Sequence, residues 1–298
     1  MLCPVSAVFP TLARPASALQ TIERLISCDP RPAEIIVYVD GGDTKVSNLI
    51  KTQYPEVRVL EGSGLLGPGG ARNELMNAAR YNLVANFDDD SYPANPHFFF
   101  SRVMQVAENF PSAAAISAAS HEAECRHSGF WSIASHSGCG AIIRKEWFLK
   151  TTGYVPLPIA YNMEEIDLGL QFHALGGLIV FDPKLQVIHD RLPHTRPEPI
   201  VNATILANTL LFPFLRYPIW LCPLGILRLI SRLNFLFRMG WTQGIAQGLQ
   251  LTPRYLFRHR KYRKPVGTLA LLSWLRLTRD KIKLSDPLSV HASHEESE

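Results

Sequence analysis

A short apolar run at residues 82–87, Asn-Leu-Val-Ala-Asn-Phe, ends in three consecutive aspartates, Asp88, Asp89 and Asp90. Such runs are typical of buried strands in α/β sheets, and the ligands of these sheets bind at the carboxyl ends of the strands. Alternate side chains of a strand share a face, so we expect Asp88 and Asp90 to point one way and Asp89 the other. Adjacent carboxylates need a balancing charge, and the hard ions Mg²⁺ and Mn²⁺ are the simplest choice.

The same segment also fits a simpler interpretation. Asn95 and Pro96 follow closely, and an asparagine N-cap with proline as the first helical residue is a common helix start. The aspartates would then occupy a solvated turn before a helix over residues 96–110. The residues alone leave both interpretations open.

Strand and helix patterns alternate through the first 190 residues, which predicts an α/β fold with a mostly parallel mixed sheet flanked by helices. The predicted strands are 5–9, 34–40, 57–61, 83–87, 114–120, 178–181 and 186–189. The predicted helices are 15–27, 71–80, 96–110, 144–151 and 162–175.

Two other predicted strands also lead into polar residues. The first continues into Pro10, Thr11 and Arg14, and the second ends at Asp40. Because parallel strands end at one edge of a sheet, Thr11, Asp40 and the three aspartates are expected to line one crevice. Asp-Gly-Gly-Asp at 40–43 is equally typical of a plain turn, so Asp40 alone decides nothing.

A glycine-rich segment, residues 62–73, leads into the second predicted helix and ends in Arg72 and Asn73. Glycines permit close backbone approach, and a helix N-terminus with an arginine suits a diphosphate. The segment lacks the Gly-x-Gly-x-x-Gly spacing of dinucleotide folds and the lysine of a P-loop, so a flexible connector remains an alternative.

Three acidic residues, Glu164, Glu165 and Asp167, are clustered at the start of the last predicted helix. A general base must be a carboxylate or imidazole held near the reacting hydroxyl, and this cluster offers one. Asn162 as N-cap with Glu165 three residues later also resembles a capping box. Taken by themselves, these residues favour capping.

Taken together and in order, the segments resemble the inverting family 2 glycosyltransferases of the GT-A fold, of the bacterial cell-surface polysaccharide type. The likeness covers about residues 4–190, and it is the order of the motifs along the chain that makes it specific. The matching segments are residues 5–15, 34–42, 70–73, 87–90, 138–148, 164–168 and 183–189.

The resemblance implies a role for each matching residue. Nucleotide binding falls to Pro10, Thr11, Arg14, Asp40, Arg72 and Asp88, with Asp88 at the ribose and Arg72 at the base or diphosphate. The metal, Mg²⁺ or Mn²⁺, falls to Asp90 and His189, although a lone histidine there is also commonly structural. Sugar and acceptor contacts fall to Asp89, Gly138, Cys139, Gly140 and Glu164, and the catalytic base is Glu165.

The implied reaction is a single displacement with inversion, in which Glu165 deprotonates an acceptor hydroxyl that attacks the anomeric carbon of a nucleotide-diphosphate-sugar. Two positions depart from the family pattern. Gly41 stands where many relatives carry a second polar residue, and Gln171 replaces an arginine that often follows the helix start. These departures affect nucleotide preference and packing rather than the class.

Composition limits the cellular setting. Five scattered cysteines without a Cys-x-x-Cys pair indicate reduced thiols in the cytoplasm and argue against a zinc site. Because residues 5–9 already form a predicted strand, we expect no signal peptide.

Charge divides the chain at a proline-rich joint, residues 193–199, which we take as a domain boundary. Residues 1–198 hold 16 Lys/Arg and 21 Asp/Glu, whereas residues 199–298 hold 14 and 5. The uncharged stretch 199–215 is marginal for a bilayer span, and the basic, aromatic-rich pattern around it fits an anionic membrane surface better. The alternative is a helical subdomain that packs on the catalytic domain. Residues 291–298 are expected to be a disordered tail. No recognition motif accompanies the basic residues, so nucleic-acid binding is not expected.

Two other functional classes are weighed against the glycosyltransferase. A sugar-phosphate nucleotidylyltransferase would require a glycine-rich loop with a lysine after the first strand, and residues 9–14 contain neither glycine nor lysine. A non-catalytic binding module predicts loss of the metal or base carboxylates, and both are present.

Overall fold

The structure, a computed structural model, describes residues 1–159, 163–190 and 198–285. Its strands are β1 (Leu2–Thr11), β2 (Arg31–Val39), β3 (Arg58–Glu61), β4 (Leu83–Asn86), β5 (Ser91–Pro93), β6 (Ala113–Ala119), β7 (Trp131–Ser132), β8 (Ala141–Arg144), β9 (Leu178–His189) and β10 (Ile282–Lys283). Its helices are α1 (Pro15–Ile26), α2 (Thr44–Gln53), α3 (Gly67–Ala78), α4 (Phe99–Asn109), α5 (Glu122–Cys125), α6 (Lys145–Phe148), α7 (Glu164–Ala174), α8 (Pro199–Arg216), α9 (Leu224–Arg238), α10 (Ile245–His259) and α11 (Thr268–Leu277).

The strands form a mixed sheet in the order β10-β7-β9-β6-β8-β4-β1-β2-β3. The neighbours β4, β1, β2 and β3 are parallel, as are β6 and β9, while β8 runs antiparallel between β4 and β6. The α/β fold expected from the sequence is therefore confirmed. Since β1, β2 and β4 are parallel, their carboxyl ends at Thr11, Val39 and Asn86 lie at one edge of the sheet, as predicted.

Alternating side chains along β1 supply both faces of the sheet. Val5, Ala7 and Phe9 belong to the core beneath α1 and α4, and Val8 belongs to the core beneath α3 and α7. Burial of both faces explains why the strand sequence reads as an almost continuous apolar run. The two cores hold the strand ends that carry the polar residues.

Several element boundaries differ from the prediction. Helix α4 begins at Phe99 rather than Pro96, and the Asn95 side chain accepts a hydrogen bond from the backbone N–H of His97 instead of capping the helix. Helix α6 ends at Phe148, three residues earlier than predicted. Helix α2 was not predicted at all; it starts at an N-cap, Asp43, whose carboxylate accepts hydrogen bonds from two backbone N–H groups.

The glycine-rich segment is partly helical. Helix α3 begins at Gly67 rather than Ala71, so three of the glycines form its first turn. A Cβ at Gly67 would clash with the backbone of Leu157, and one at Gly69 would lie 2.8 Å from Glu164 Oε1. These glycines therefore let α3 approach the segment that leads into α7, and the interpretation as a flexible connector is wrong.

Helix α7 begins at Glu164, with Met163 as an N-cap that makes no side-chain cap. The predicted cap, Asn162, lies outside the described residues. Glu165 is consequently the second helical residue, so the Asn162–Glu165 spacing no longer corresponds to a capping box.

The region after residue 198 is helical apart from β10 and packs on the sheet domain. The uncharged stretch considered for a membrane span is helix α8, which is largely buried in protein. Its residues Leu211, Phe212 and Leu215 share an apolar core with Met163, the N-cap of α7, and with Leu170 on that helix. Within the described ranges, the one segment long and apolar enough to cross a membrane is Ile219–Arg238, with a mean hydropathy of 1.4 and 11% of its most apolar window buried.

Candidate active site

The turn after β4 separates the three aspartates as predicted. Asp89 is buried, and its carboxylate accepts hydrogen bonds from Thr11 Oγ1 at 2.8 Å and Arg14 Nη1 at 2.7 Å. Asp88 and Asp90 point instead toward His189. The strand itself ends at Asn86, so turn geometry rather than strand alternation produces this arrangement.

Two carboxylates and an imidazole converge at this point. His189 Nε2 lies 3.0 Å from Asp90 Oδ1 and 3.5 Å from Asp88 Oδ2. The antiparallel pairing of β5 with β9 sets Ser91 opposite His189, and it explains how residues about a hundred positions apart meet.

The electrostatics of this cluster favour its ionised forms. Burial disfavours the charge on Asp90, but hydrogen bonds from His189 and Arg14 outweigh it and lower the pKa to about 2. Burial likewise opposes protonation of His189, yet its bonds to Asp90 and Cys139 raise the pKa to about 9. The two carboxylates therefore already stabilise one positive charge, that of the imidazolium, and a divalent ion bound by His189 would displace its proton.

Cys139 completes the group on the other side of the imidazole ring. Its Sγ lies 3.2 Å from His189 Nδ1, and ligand atoms of Asp88, Cys139 and His189 all lie within 4.8 Å of one another. Gly140 follows in the left-handed region at φ +76°, and a Cβ there would clash with Val187 on β9. One nitrogen and several carboxylate oxygens suit Mn²⁺ well and also accept Mg²⁺, so the residues present fit the expected ion.

Arg14 links the two faces of the acidic turn. Its Nη1 donates to Asp89 and its Nη2 to Asp90 at 2.8 Å, while about half of the side chain remains exposed. Burial raises the pKa of Asp89 to about 6, because the hydrogen bond from Thr11 and the charge of Arg14 offset the effect of burial only in part. The exposed half of Arg14 is open to an anionic ligand.

Arg72 is the buried centre of the site. Its guanidinium donates to Asp88, to Glu164 Oε2 at 2.6 Å and to the carbonyl of Gly138 at 3.3 Å. It comes from the second turn of α3, not from the helix N-terminus. Burial raises the pKa of Glu164 to about 7 against the opposing charge of Arg72. Glu164 is therefore the ion-pair partner of Arg72. Its other oxygen, Oε1, is buried without a hydrogen-bond partner.

Glu165 lies next to Glu164 on α7 but faces Gly138. A Cβ at Gly138 would clash with Glu165 Oε1, so the carboxylate lies directly against this glycine. Unlike Glu164, Glu165 is only partly buried. It is the carboxylate of this helix that is open to a ligand in the cleft.

Asp40 lies at the start of α3. Its Oδ1 accepts hydrogen bonds from the backbone N–H groups of Gly41 and Leu66, and its Oδ2 from that of Gly67. Asp40 thereby fixes the first turn of α3. The contact with a nucleotide implied by the resemblance stays a prediction, as do those of Pro10 and Thr11 on β1.

One residue near the site was not predicted. His136 precedes Gly138 by two residues and is buried, with its Nε2 lacking a hydrogen-bond partner. Burial lowers its pKa, although the nearby charge of Glu165 partly offsets this. No local sequence signal distinguishes this histidine, because it comes close to Glu165 only when α7 packs on the loop before β8.

Comparisons with known proteins bear on the sequence family and on the fold. Residues 6–120 match the family model of glycosyl transferase family 2, a span that includes β1, the acidic turn and Arg72 but covers less than half of the chain. No curated protein matches this chain.

Solved structures resemble the fold over a longer range. A mannosyltransferase, PcManGT from Pyrobaculum calidifontis in complex with GDP-Man and Mn²⁺, is 14% identical, with a TM-score of 0.57 over 93% of this chain and 86% of that one. GalNAc-T7 with UDP, GalNAc and Mn²⁺ is 15% identical, with a TM-score of 0.56 over 72% of this chain and 48% of that one. S. aureus TarS 1–349 is 13% identical, with a TM-score of 0.51 over 69% and 65%.

The fold is that of the GT-A glycosyltransferases. Residues 6–120 are the part of this fold that matches the glycosyl transferase family 2 model. Two of the three similar structures hold Mn²⁺, which agrees with the metal expected from the sequence.

Proposed function

We propose that the protein transfers a sugar, with inversion, from a nucleotide-diphosphate-sugar to a hydroxyl of a glycan or lipid-linked acceptor in cell-surface polysaccharide synthesis. The observation that carries the proposal is the convergence of Asp88, Asp90 and His189 beside two arginines, with Glu165 in the same cleft. This arrangement supplies a metal site, an anion site and a base at the carboxyl edge of a GT-A sheet.

Donor binding falls to the residues nearest β1, β2 and the acidic turn. Asp90 and His189, with Asp88 beside them, would hold Mg²⁺ or Mn²⁺. When bound, the ion offsets the charge of the diphosphate and of the leaving nucleotide. Arg14, half exposed, contacts the diphosphate, and Asp40 holds α3, whose buried Arg72 lies between Asp88 and Glu164.

Glu165 is the catalytic base in this proposal. Its carboxylate accepts the proton of the acceptor hydroxyl, whose oxygen attacks the anomeric carbon as the bond to the diphosphate breaks. Glu164 is paired with Arg72 behind it, whereas Glu165 remains open to the cleft. Gly138, Cys139 and Gly140 border the space for the sugar and acceptor.

Asp89 receives a different role from the one implied by the resemblance. Both of its oxygens are bonded to Thr11 and Arg14. We therefore propose that Asp89 positions Arg14 rather than contacting sugar or acceptor.

A donor screen tests the proposal. The purified protein is incubated with common nucleotide-sugars and Mn²⁺, and nucleotide-diphosphate release is measured with and without simple glycan acceptors. We expect release from one donor, increased by an acceptor. Release of pyrophosphate from a sugar phosphate and a nucleoside triphosphate would instead support a nucleotidylyltransferase, and binding without any release would support a non-catalytic module.

We further propose that the protein docks on the cytoplasmic face of a membrane, where a lipid-linked acceptor is available. Residues 199–279 hold twelve Lys/Arg and no Asp/Glu. The α9 face, defined as the exposed apolar side chains of α9 and its flanks, consists of Ile219, Trp220, Ile226, Leu227, Ile230, Phe235, Phe237 and Met239. Apolar side chains interleaved with arginines match an anionic lipid surface in both polarity and charge.

Liposome flotation is expected to show binding to vesicles that contain phosphatidylserine. Each basic residue near such a surface contributes about 1 kcal/mol, so binding weakens with salt, while the unscreened apolar contribution preserves part of it. Leu227→Asp combined with Phe237→Asp should weaken flotation, most clearly at high salt, where the apolar contribution dominates. Leu149→Asp is the control, because Leu149 is similarly exposed, at 59%, but lies at the C-cap of α6, outside the α9 face. An intact protein that remains soluble under every condition would contradict membrane docking.

A further inference from the structure

Arg216, the last residue of α8, is completely buried. Its guanidinium forms a two-pronged ion pair with Asp167 on α7, through Nε to Oδ1 and through Nη2 to Oδ2 at 2.8 Å. Its Nη2 also donates to Thr152 Oγ1 at 2.9 Å, and its Nη1 donates to the carbonyl of Tyr262 at 3.0 Å. One side chain thus joins α7, the segment before α7 and the C-terminal region.

The far side of Asp167 is completed by Gln171, one turn later on the same helix. Gln171 Nε2 donates to Asp167 Oδ2 at 3.1 Å, and its Oε1 accepts hydrogen bonds from Thr152. A glutamine cannot neutralise the carboxylate, so the compensating positive charge comes from α8. Asp167 lies two residues after Glu165, and therefore its position fixes the first turn of the helix that carries the base.

The C-terminal region also holds the opposite wall of the cleft. Trp274 on α11 donates from Nε1 to the carbonyl of Ala134 at 2.8 Å. Gly169 on α7 packs against the same carbonyl so closely that a Cβ would clash. From Ala134 the chain runs to Gly138, which lies against Glu165. Both partners of the Glu165–Gly138 contact are consequently anchored to helices beyond residue 198.

We infer that Arg216 is a positioning residue for the proposed transfer reaction: it sets the place of Glu165 through Asp167. The inference rests on the proposed function. A planar guanidinium is held by two parallel bonds to the carboxylate, and a lysine cannot reproduce them. Removing one partner of a buried pair leaves a charge without compensation, which α7 relieves by shifting.

Hydrogen exchange tests the inference without a known donor. In Arg216→Ala, amides of α7 and of residues 134–138 are expected to exchange at least tenfold faster than in the parent protein, while those of β1 and β2 stay unchanged. The matched control is Arg102→Ala, which breaks another buried pair, Arg102 with Asp182, on a different part of the sheet. Both variants lose thermal stability, but only Arg216→Ala should loosen α7.

Turnover with the donor found in the screen provides the second readout. Arg216→Ala should lower kcat at least tenfold and change the donor KM less than twofold, and added guanidinium ion should restore part of kcat. If Arg216→Ala does not fold, Arg216→Lys keeps the charge but loses the two-pronged geometry and should show the same kcat loss.

Several outcomes would overturn the inference. They are unchanged α7 exchange in a folded Arg216 variant, full turnover in Arg216→Lys, or equal loosening of α7 in Arg102→Ala. An absence of turnover with every donor would refute the proposed function, while the exchange measurement would still decide whether Arg216 positions α7.

Discussion

Asp90→Ala is expected to abolish transfer and to lower Mn²⁺ affinity while leaving the fold intact. Asp90 lies at the end of the acidic turn with its Oδ1 3.0 Å from His189 Nε2, so the substitution removes one of the oxygens that face the proposed ion. Stabilisation of the leaving group by a metal is worth several kcal/mol, which corresponds to a loss on the order of 10³-fold in kcat.

Mn²⁺ binding measured by titration calorimetry separates the metal role from a general loss of activity. Asp43→Ala serves as the control, because Asp43 caps α2 and makes no contact with the acidic turn. Asp43→Ala should bind Mn²⁺ and turn over like the parent protein. Full turnover of the parent protein in EDTA would refute the metal assignment.

Glu165→Gln is expected to lower kcat by about 10²-fold or more with the nucleotide-diphosphate still bound. The amide keeps the size and hydrogen-bonding capacity of the side chain but cannot accept the proton of an acceptor hydroxyl. A purely structural role at the start of α7 would tolerate the change, since an amide oxygen still accepts hydrogen bonds.

The control for this prediction is Glu146→Gln in the first turn of α6, a carboxylate in a similar helical position outside the cleft. Nucleotide-diphosphate binding by calorimetry and turnover in the donor screen are compared across the three proteins. Turnover of Glu165→Gln equal to that of the parent would return Glu165 to a structural role and leave the base unidentified.

The strand ends of the site were predictable because their signals are local. An apolar run followed by carboxylates identifies β4 and the acidic turn, and the same reasoning identified Thr11 and Asp40 at the neighbouring exits. Parallel pairing then brings these ends to one edge without knowledge of any side-chain contact. The separation of Asp89 from Asp88 and Asp90 also followed from the sequence, although the turn rather than the strand produces it.

Contacts between distant segments were not predictable in the same way. Cys139 meets His189 fifty residues later, and Asp167 meets Arg216 forty-nine residues later, so no local pattern reports either pair. Strand β9 was predicted as two pieces because Pro183 interrupts the pattern. The structure carries the strand through this point with an irregular register against β6, where the Asp182 side chain accepts a hydrogen bond from the Lys184 N–H.

The ion pair between α7 and α8 has an evolutionary consequence. Position 171, where this chain has glutamine, lies one turn from Asp167 on the same helix, and an arginine there has a short path to the same carboxylate. Two sites in the sequence can therefore supply a single required charge. Relatives with arginine at position 171 should therefore tolerate another residue at position 216. Relatives with glutamine at position 171 should retain arginine at position 216.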